Sequence, residues 1–552
     1  MIGVIANAAE HDVAREFFEL FKTPWEFYRE AERYDVVLCS GDVQYDGITK
    51  LVLVYAGSRI RLDDQRRIAT GQQRSHACML SFRKSLIPIY GHTITLRKDG
   101  DFLVDEDSQA SVAHLDHVEE GTLCRIGYDL FAEIHTLLSV GQPPANAATP
   151  ALELHIALLR ELIIGFGISL VEVPPAPAGY KFIVCLTHDV DHPSIRRHKW
   201  DHTTIGFLYR ATFGSLRNFL RGRISWRDLL TNCAAAVKLP FVFLDIAEDF
   251  WCDFAERYLE IEKGIPATFF VIPFKGRAGK HVDRRQAKFR SANYGACDVV
   301  DSMRKLLAAG CEVGLHGIDA WLDGAAAQEE LAEIRRLTGA SGIGVRMHWL
   351  CYDQQSPSAL EAAGAVYDST IGYNETVGYR AGTMQAYKPL GASTLLELPL
   401  HVMDTALFYP SHLGLSSKQA EAYLRRMTDD AVRFGGCFTI NWHDRSVAPE
   451  RLWGATYRSL VQDLKRRGAW FSTAGEAVSW FRKRRAVVFE TDCGSPAGVR
   501  VNVTGFLSES LPGFRLRVHQ PKSWDAGSNI PGDFVDTALD DRADAYVTCR
   551  FN

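Results

Sequence analysis

The chain has 552 residues, enough for about two to four domains with large hydrophobic cores. Hydrophobic residues make up 47% and charged residues 23%, close to the soluble average, which excludes a fibrous or disordered chain. The 62 basic and 67 acidic residues leave a net charge of -5, so nothing in the charge balance indicates a nucleic-acid partner.

The first residues, MIGVIANAA, lack a basic region and run into Glu10 and Asp12, so we expect no secretory signal. The apolar run at 162–173 is shorter than the ~20 residues that cross a bilayer, and no transmembrane span is expected. The 12 cysteines include no C-x-x-C pair, which suits reduced thiols. These features predict a cytoplasmic location.

Residues 1–145 mix strand-like and amphipathic stretches and predict a separate N-terminal α/β domain. Strands are expected at 36–39, 51–54 and 86–90, and a helix at 128–138. We interpret residues 146–179 as a helix, at 151–165, followed by a Pro-rich linker.

From Tyr180 to Arg485 short apolar runs alternate with helical stretches, which predicts a parallel sheet, either open or closed into a barrel. The predicted strands lie at 181–187, 267–272, 311–315, 343–347, 394–399, 437–442 and 469–472. The predicted helices lie at 247–263, 298–309, 324–338, 416–434 and 450–466. Residues 486–552 are predicted to form a small all-β appendage, with strands at 487–490, 499–503, 514–518 and 546–551.

Residues 205–243 interrupt this pattern with interleaved aromatic and basic side chains. Such a segment can act as a lid, or can rest on a membrane surface that holds a lipid-linked sugar. Its position after the first polar strand end favours the lid.

Polar side chains follow four predicted strands where each strand ends, as a parallel α/β enzyme requires. Asp189 and Asp191 share one face of an extended backbone, and their carboxylates would repel each other unless a cation or proton lay between them. The other three strands end in His316, in Arg346 and His348, and in His443. At any one strand end, a turn whose polar side chains cap backbone groups explains the pattern equally well. Four polar strand ends in one domain, however, indicate an active site.

In order and flanking sequence these residues resemble the polysaccharide deacetylase family, also called the NodB-homology or carbohydrate esterase 4 family. The segments PATFFV at 266–271 and EVGLH at 312–316 are similar to the family's second strand and metal-histidine motif. The resemblance spans residues 181–475. It implies an irregular (β/α) barrel, a divalent metal ion that is usually zinc, and hydrolysis of an N-acetyl group on a sugar.

The resemblance also implies a role for each strand-end residue. Asp189 resembles the general base, Arg346 the arginine that pairs with the base, and His443 the general acid. Asp191 resembles the metal aspartate of the branch with an Asp-x-Asp motif, and His316 resembles the first metal histidine.

One ligand departs from the family pattern, which normally has a second histidine four residues after the first. That position is Ala320 here. Either Asp319 or His348 can replace the missing ligand, and we favour His348 because it preserves an Asp-His-His set.

Four further polar residues are candidate substrate contacts: Asp319, Asp368, Arg380 and Asp404. An ordinary ion pair between Asp368 and Arg380 explains those two equally well. Asp404 follows an apolar run and is placed to orient His443, and either Asp404 or Asp444 beside that histidine would raise its pKa.

The sequence therefore predicts a metal-dependent hydrolase that removes an N-acyl group from a saccharide or lipid-linked saccharide. Two alternatives stay open. One is hydrolysis of another C–N bond, in a cyclic ureide or imide, as in related branches with the Asp-x-Asp motif. The other is a non-catalytic saccharide-binding barrel that has lost its metal.

Overall fold

The computed structural model describes all residues except 44, 46, 48, 98–101, 119–120, 281–288, 492–498, 504–510, 522–532 and 540–552. The chain forms two compact units. Unit 1 comprises Met1–Gly179, Tyr379–Leu390 and Trp480–Asn552, and unit 2 comprises Tyr180–Gly378 and Gly391–Ser479. The division into four segments at 145, 179 and 485 stays a prediction, and the helix assigned to the linker belongs to unit 1.

The strands are numbered in chain order. They are β1 (Ile2–Ile5), β2 (Trp25–Phe27), β3 (Val36–Ser40), β4 (Leu51–Tyr55), β5 (Ala69–Arg74), β6 (Cys78–Phe82), β7 (Ser85–Ile89), β8 (Thr93–Arg97), β9 (Leu103–Asp105), β10 (Ala113–Val118), β11 (Gly121–Ile126), β12 (Leu170–Glu172), β13 (Phe182–Val190), β14 (Thr268–Val271), β15 (Glu312–Gly317), β16 (Val345–Met347), β17 (Val402–Met403), β18 (Cys437–Asn441), β19 (Ala469–Phe471), β20 (Val487–Thr491), β21 (Val499–Val503), β22 (Phe514–His519) and β23 (Phe534–Leu539).

The α-helices are numbered in the same way. They are α1 (His11–Phe21), α2 (Arg61–Gln65), α3 (Leu130–Ser139), α4 (Ala151–Gly165), α5 (His202–Tyr209), α6 (Ser215–Leu220), α7 (Trp226–Phe243), α8 (Phe254–Ile261), α9 (Val300–Ala308), α10 (Gly324–Thr338), α11 (Ser356–Ala362), α12 (Asp404–Phe408), α13 (Ser417–Phe434), α14 (Gly454–Arg466) and α15 (Ala474–Arg485). Among the helices that the structure describes, none has the length and apolar character needed to cross a membrane.

Unit 1 contains a six-stranded sheet in the order β10-β11-β4-β3-β1-β2. All its pairings are parallel except that of β10 with β11. Smaller sheets join β5 to β8, β7 to β6 and β9, and β12 to β22 and β23, while β20 pairs with β21. The predicted strands near 487, 499 and 514 are confirmed, and the one at 546–551 lies outside the described residues.

Unit 2 is built on a seven-stranded parallel sheet in the order β16-β15-β14-β13-β18-β17, with β19 on β13. All nine residues of β13 are buried, as expected for a parallel strand covered on both faces. Single parallel bridges continue the sheet from Val345 to Asp368 and from Asp368 to Glu397. The chain continues from Glu397 to β17, which lies at the opposite edge of the sheet from β16. The sheet therefore curls into an irregular barrel. The predicted fold class, a (β/α) barrel with accompanying α/β and β parts, is confirmed.

The predicted strand at 394–399 is wrong, because the structure has only the isolated bridge at Glu397 there. Pro399 has no N–H to donate to a ladder, which disfavours a regular strand at this position. The other predicted strands of the barrel are present, with their ends shifted by a few residues. The insertion after β13 forms α5, α6 and α7, and its role as a lid stays a prediction.

Candidate metal and catalytic site

The carboxyl ends of β13, β15, β16 and β18 surround a cavity of about 480 Å³, within the size range of small-ligand sites. The register of the sheet brings the polar strand ends together, because His316 on β15 lies beside Arg346 on β16. The predicted site residues on its lining are Asp189, Asp191, His316, His348 and His443.

Asp191, His316 and His348 form a group that could hold a metal ion. Oδ1 of Asp191 lies 3.3 Å from Nε2 of His316 and 3.4 Å from Nδ1 of His348. The two ring nitrogens are 3.1 Å apart. Metal–ligand bonds of about 2.0–2.1 Å in tetrahedral geometry place neighbouring ligand atoms about 3.3 Å apart, so the three distances fit one ion.

Backbone carbonyls fix the orientation of both imidazoles. Nδ1 of His316 faces the carbonyl oxygen of Arg346 at 3.0 Å, and Nε2 of His348 faces that of Arg290 at 3.2 Å. Because a carbonyl oxygen only accepts, each of these nitrogens carries the ring proton, and the opposite nitrogen presents a lone pair to the group. Two lone pairs 3.1 Å apart repel each other unless a proton or a metal cation lies between them.

The ionisation of the group also suits a metal. Oδ1 of Asp191 is buried without a hydrogen-bond partner in the described part of the chain, so a buried carboxylate oxygen points into the group unsatisfied. Burial lowers the pKa of His348, which favours its neutral form. Burial opposes ionisation of Asp191, but positive charge on His348 and His316, when they are protonated, holds its pKa well below the usual range, and a bound cation would act in the same way. Neutral imidazole and ionised carboxylate are the forms that bind divalent ions.

The backbone after His348 turns sharply. Trp349 has a φ of 64° and Leu350 a φ of 51°, both in the left-handed region that L-residues rarely adopt. Each such residue costs of order 1–3 kcal/mol and is typically retained where the surrounding structure enforces it. The strained turn lies directly after a candidate ligand at the end of β16.

Asp189 is held by two neighbours on other strands. Nη1 of Arg346 donates to its Oδ1 at 3.2 Å, and the amide nitrogen of Asn441 donates to its Oδ2 at 2.7 Å. Asn441 also accepts from the backbone N–H of Asp189 at 3.1 Å. Arg346 is itself fully buried and bonded to Ser369 through Nε and Nη2. The carboxylate of Asp189 is thus held rigidly at the cavity wall.

His443 lies beside the group, with Nε2 3.7 Å from Oδ2 of Asp191. Its Nδ1 is 2.6 Å from Oδ1 of Asp404, whose Oδ2 accepts from the His443 backbone N–H at 2.8 Å. Burial disfavours the charged ring, but Asp404 more than offsets this and raises the pKa of His443 to about 10. Asp444 instead accepts from the backbone N–H groups of His192 and Arg445.

The other candidate residues lie away from the cavity lining. Oδ1 of Asp319 accepts from the backbone N–H of Lys280, and Ala320 is fully buried. Asp368 is buried, and burial raises its pKa to about 6. Arg380 belongs to unit 1, where its carbonyl accepts from the Gln142 N–H.

Sequence reasoning missed the part played by Asn441. It lies two residues before His443 on the same strand end, and its pairing with Thr187 on β13 places it beside Asp189. Tyr409 and Arg445 also line the cavity, and no pattern in the sequence singled them out.

Neither a protein-family model nor a curated protein sequence matches this chain. Among solved structures, a Mycobacterium smegmatis protein assigned as a polysaccharide deacetylase is 17% identical with a TM-score of 0.33, over 56% of this chain and 95% of that one. A Pseudomonas aeruginosa PAO1 protein with the same assignment is 16% identical with a TM-score of 0.35, over 56% and 94%. Puue allantoinase is 16% identical with a TM-score of 0.35, over 55% and 91%. Structural neighbours thus include polysaccharide deacetylases, the family that the sequence resembles.

Proposed function

We propose that this protein is a metal-dependent hydrolase that removes an N-acetyl group from a saccharide. The observation that carries the proposal is the buried, unsatisfied Oδ1 of Asp191, which faces the lone pairs of His316 and His348 within 3.4 Å. Mixed nitrogen and oxygen ligands at this spacing suit zinc. A divalent ion held there supplies a Lewis acid that polarises an acyl carbonyl and lowers the pKa of water.

The remaining residues divide the proton transfers between them. Asp189 accepts a proton from the attacking water, and Arg346 and Asn441 keep its carboxylate aimed into the cavity. His443 donates a proton from Nε2 to the departing nitrogen, because Asp404 holds the Nδ1 proton on the opposite side of the ring. Water is consumed, the C–N bond breaks, and acetate and a free amine leave.

The test measures metal content and acetate release on the purified full chain. Mass spectrometry of the metals should find about one zinc per chain, and N-acetylated chitooligosaccharides should yield acetate. If the protein binds metal and opens a cyclic ureide but releases no acetate, it is instead a hydrolase of another C–N bond. Absence of both metal and acetate would favour a saccharide-binding barrel.

Variants separate the two aspartates. We expect Asp191→Ala to lose both metal and activity, and Asp189→Ala to lose activity while retaining metal. Asp301→Ala on the exposed side of α9 is the matched control and should change neither. Loss of metal in Asp189→Ala with retention in Asp191→Ala would reverse the two roles.

A further inference from the structure

A second cavity of about 480 Å³ adjoins the catalytic cavity. The two share His192, Tyr409 and Arg445 on their linings. The far wall of the second cavity is formed by the insertion, including a π-helical turn, Arg210–Gly214, that joins α5 to α6. A ligand can therefore extend from one cavity into the other.

Four arginines line this second cavity, Arg210, Arg217, Arg445 and Arg451, and Glu450 is the carboxylate that pairs with Arg210. Glu450 lies 3.8 Å from Nη2 of Arg210 and also accepts from the Trp251 indole N–H. Within the described part of the chain, no carboxylate pairs with Arg445 or Arg451. The cavity wall therefore carries excess positive charge.

Two of these guanidinium groups keep buried nitrogens without a hydrogen-bond partner among the described residues. They are Nε of Arg451 and Nη2 of Arg210. Arg451 is only 8% exposed, so water does not readily satisfy it. Arg445 and Arg451 instead lie over the rings of Trp251 and Trp453, at 5.2 Å and 5.1 Å, which keeps the guanidinium planes in place.

Burial, and then the charge of Arg451, lower the pKa of Arg445, although Tyr409, Asp444 and Asp191 oppose this. Burial, and then the charge of Arg451, lower the pKa of Arg210 to about 9. Burial of Tyr409 opposes its ionisation, yet Arg451 and Arg445 lower its pKa to about 8. Like charges held together in a partly buried cavity are unfavourable without a counter-ion.

We propose that Arg210, Arg445 and Arg451 form an anion subsite that binds a phosphate or diphosphate group on the saccharide substrate. The inference rests on the proposed function of the adjoining cavity. Guanidinium donors form paired hydrogen bonds with phosphate oxygens, and a doubly charged group would balance the excess charge. The shared lining then allows the attached sugar to reach the metal group.

The surface of the insertion favours a lipid as carrier of that phosphate. Large apolar side chains along α5 to α7 and the loop that follows are mostly exposed, including Ile205, Phe213, Leu220, Val237, Leu244 and Ile246. Exposed apolar surface beside basic side chains is typical of segments that contact lipid. A nucleoside diphosphate sugar offers the same phosphate chemistry without the apolar chain.

The first experiment measures binding of inorganic pyrophosphate by calorimetry. The protein is freed of metal with a chelator and then dialysed without it, so neither metal nor catalysis contributes. Arg445→Gln and Arg451→Gln should each weaken binding at least tenfold. Arg304→Gln, an exposed arginine on α9, should bind like the wild type.

Thermal unfolding shows whether each variant folds. If Arg451→Gln does not fold, Arg445→Gln still gives the test, because Arg445 is only half-buried. Because each substitution removes a like charge, the midpoint without pyrophosphate should not fall. Equal pyrophosphate binding by wild type and both variants, or no binding at millimolar concentration, would overturn the subsite.

The second experiment compares acetate release from N-acetylglucosamine and from its 1-diphosphate esters carrying a nucleoside or a polyprenyl chain. We expect the polyprenyl ester to have at least tenfold higher kcat/KM than the free sugar, and Arg445→Gln to abolish that advantage. Preference for the nucleoside ester would support the subsite and refute the lipid carrier. Equal rates for all three would overturn the subsite's role in substrate binding. Pyrophosphate binding that depends on the arginines, without acetate from any substrate, would refute the proposed function and leave the anion site standing.

Discussion

Replacing Asn441 with aspartate places a second carboxylate against Asp189. The Asn441 amide nitrogen is 2.7 Å from Oδ2 of Asp189, so Asn441→Asp replaces a donor with a negative charge at that distance. With an effective dielectric constant of about 20, two unit charges at this separation repel by about 6 kcal/mol. Arg346 offsets part of this repulsion, and we expect a net effect of about 1.4–4 kcal/mol.

The predicted result is a shift in the pH dependence of activity. A proposed base must be unprotonated, and an added like charge favours its protonated form. The acid limb of kcat/KM for acetate release should therefore move by about one to three pH units toward higher pH. The assay is a pH–rate profile of wild type, Asn441→Asp and Asn441→Ala.

Asn441→Ala is the matched comparison because it removes both hydrogen bonds without adding charge. It should lower activity across the profile and leave the position of the acid limb nearly unchanged. An acid limb in Asn441→Asp that coincides with that of Asn441→Ala would show that Asp189 does not act as the base.

Three further outcomes are expected. Asp404→Asn should reduce acetate release about 10²-fold without changing zinc content, because His443 loses the negative charge that keeps its ring protonated; unchanged kcat would contradict this role. Chelation should lower the unfolding temperature of the wild type but not of Asp191→Ala, since an ion at 100 times its Kd stabilises the fold by about 2.7 kcal/mol. Glu262→Ala should destabilise the protein by about 2–5 kcal/mol in urea, because it leaves buried hydrogen-bond donors unpaired. Glu260→Ala on the exposed side of α8 should cost less than about 0.5 kcal/mol, and similar losses in both variants would argue against the hydrogen bonds of Glu262 with His188 and Tyr457.

The alternation of apolar runs and helical stretches was enough to predict the parallel sheet and the polar ends of its strands. Buried parallel strands are nearly continuous apolar runs, and the residues that follow them meet at one edge. The position of α10 was predicted residue by residue, because its apolar spacing and its cap residue Asp323 are both local signals.

Features that depend on register or on unusual backbone could not be predicted in this way. The sequence left Asp319 and His348 as alternatives, and the group in the structure contains His348. The left-handed turn at Trp349 and Leu350 carries no glycine to signal it. The position of Arg380 in unit 1 likewise depends on how a short segment packs, and no local pattern in the sequence reveals that.

The origin of the three candidate ligands has a consequence for how metal binding depends on folding. Asp191 follows β13, His316 is on β15 and His348 follows β16, so no short peptide contains the whole group. Closing long loops of an unfolded chain around one ion carries a large entropic cost. Once the sheet has folded, the three ligands are already close together and this cost no longer opposes metal binding. A histidine pair within one loop could bind zinc before the barrel forms, whereas here β13 to β16 must first align. Ion uptake during refolding should therefore follow assembly of the barrel, and bound zinc would report on intact tertiary structure.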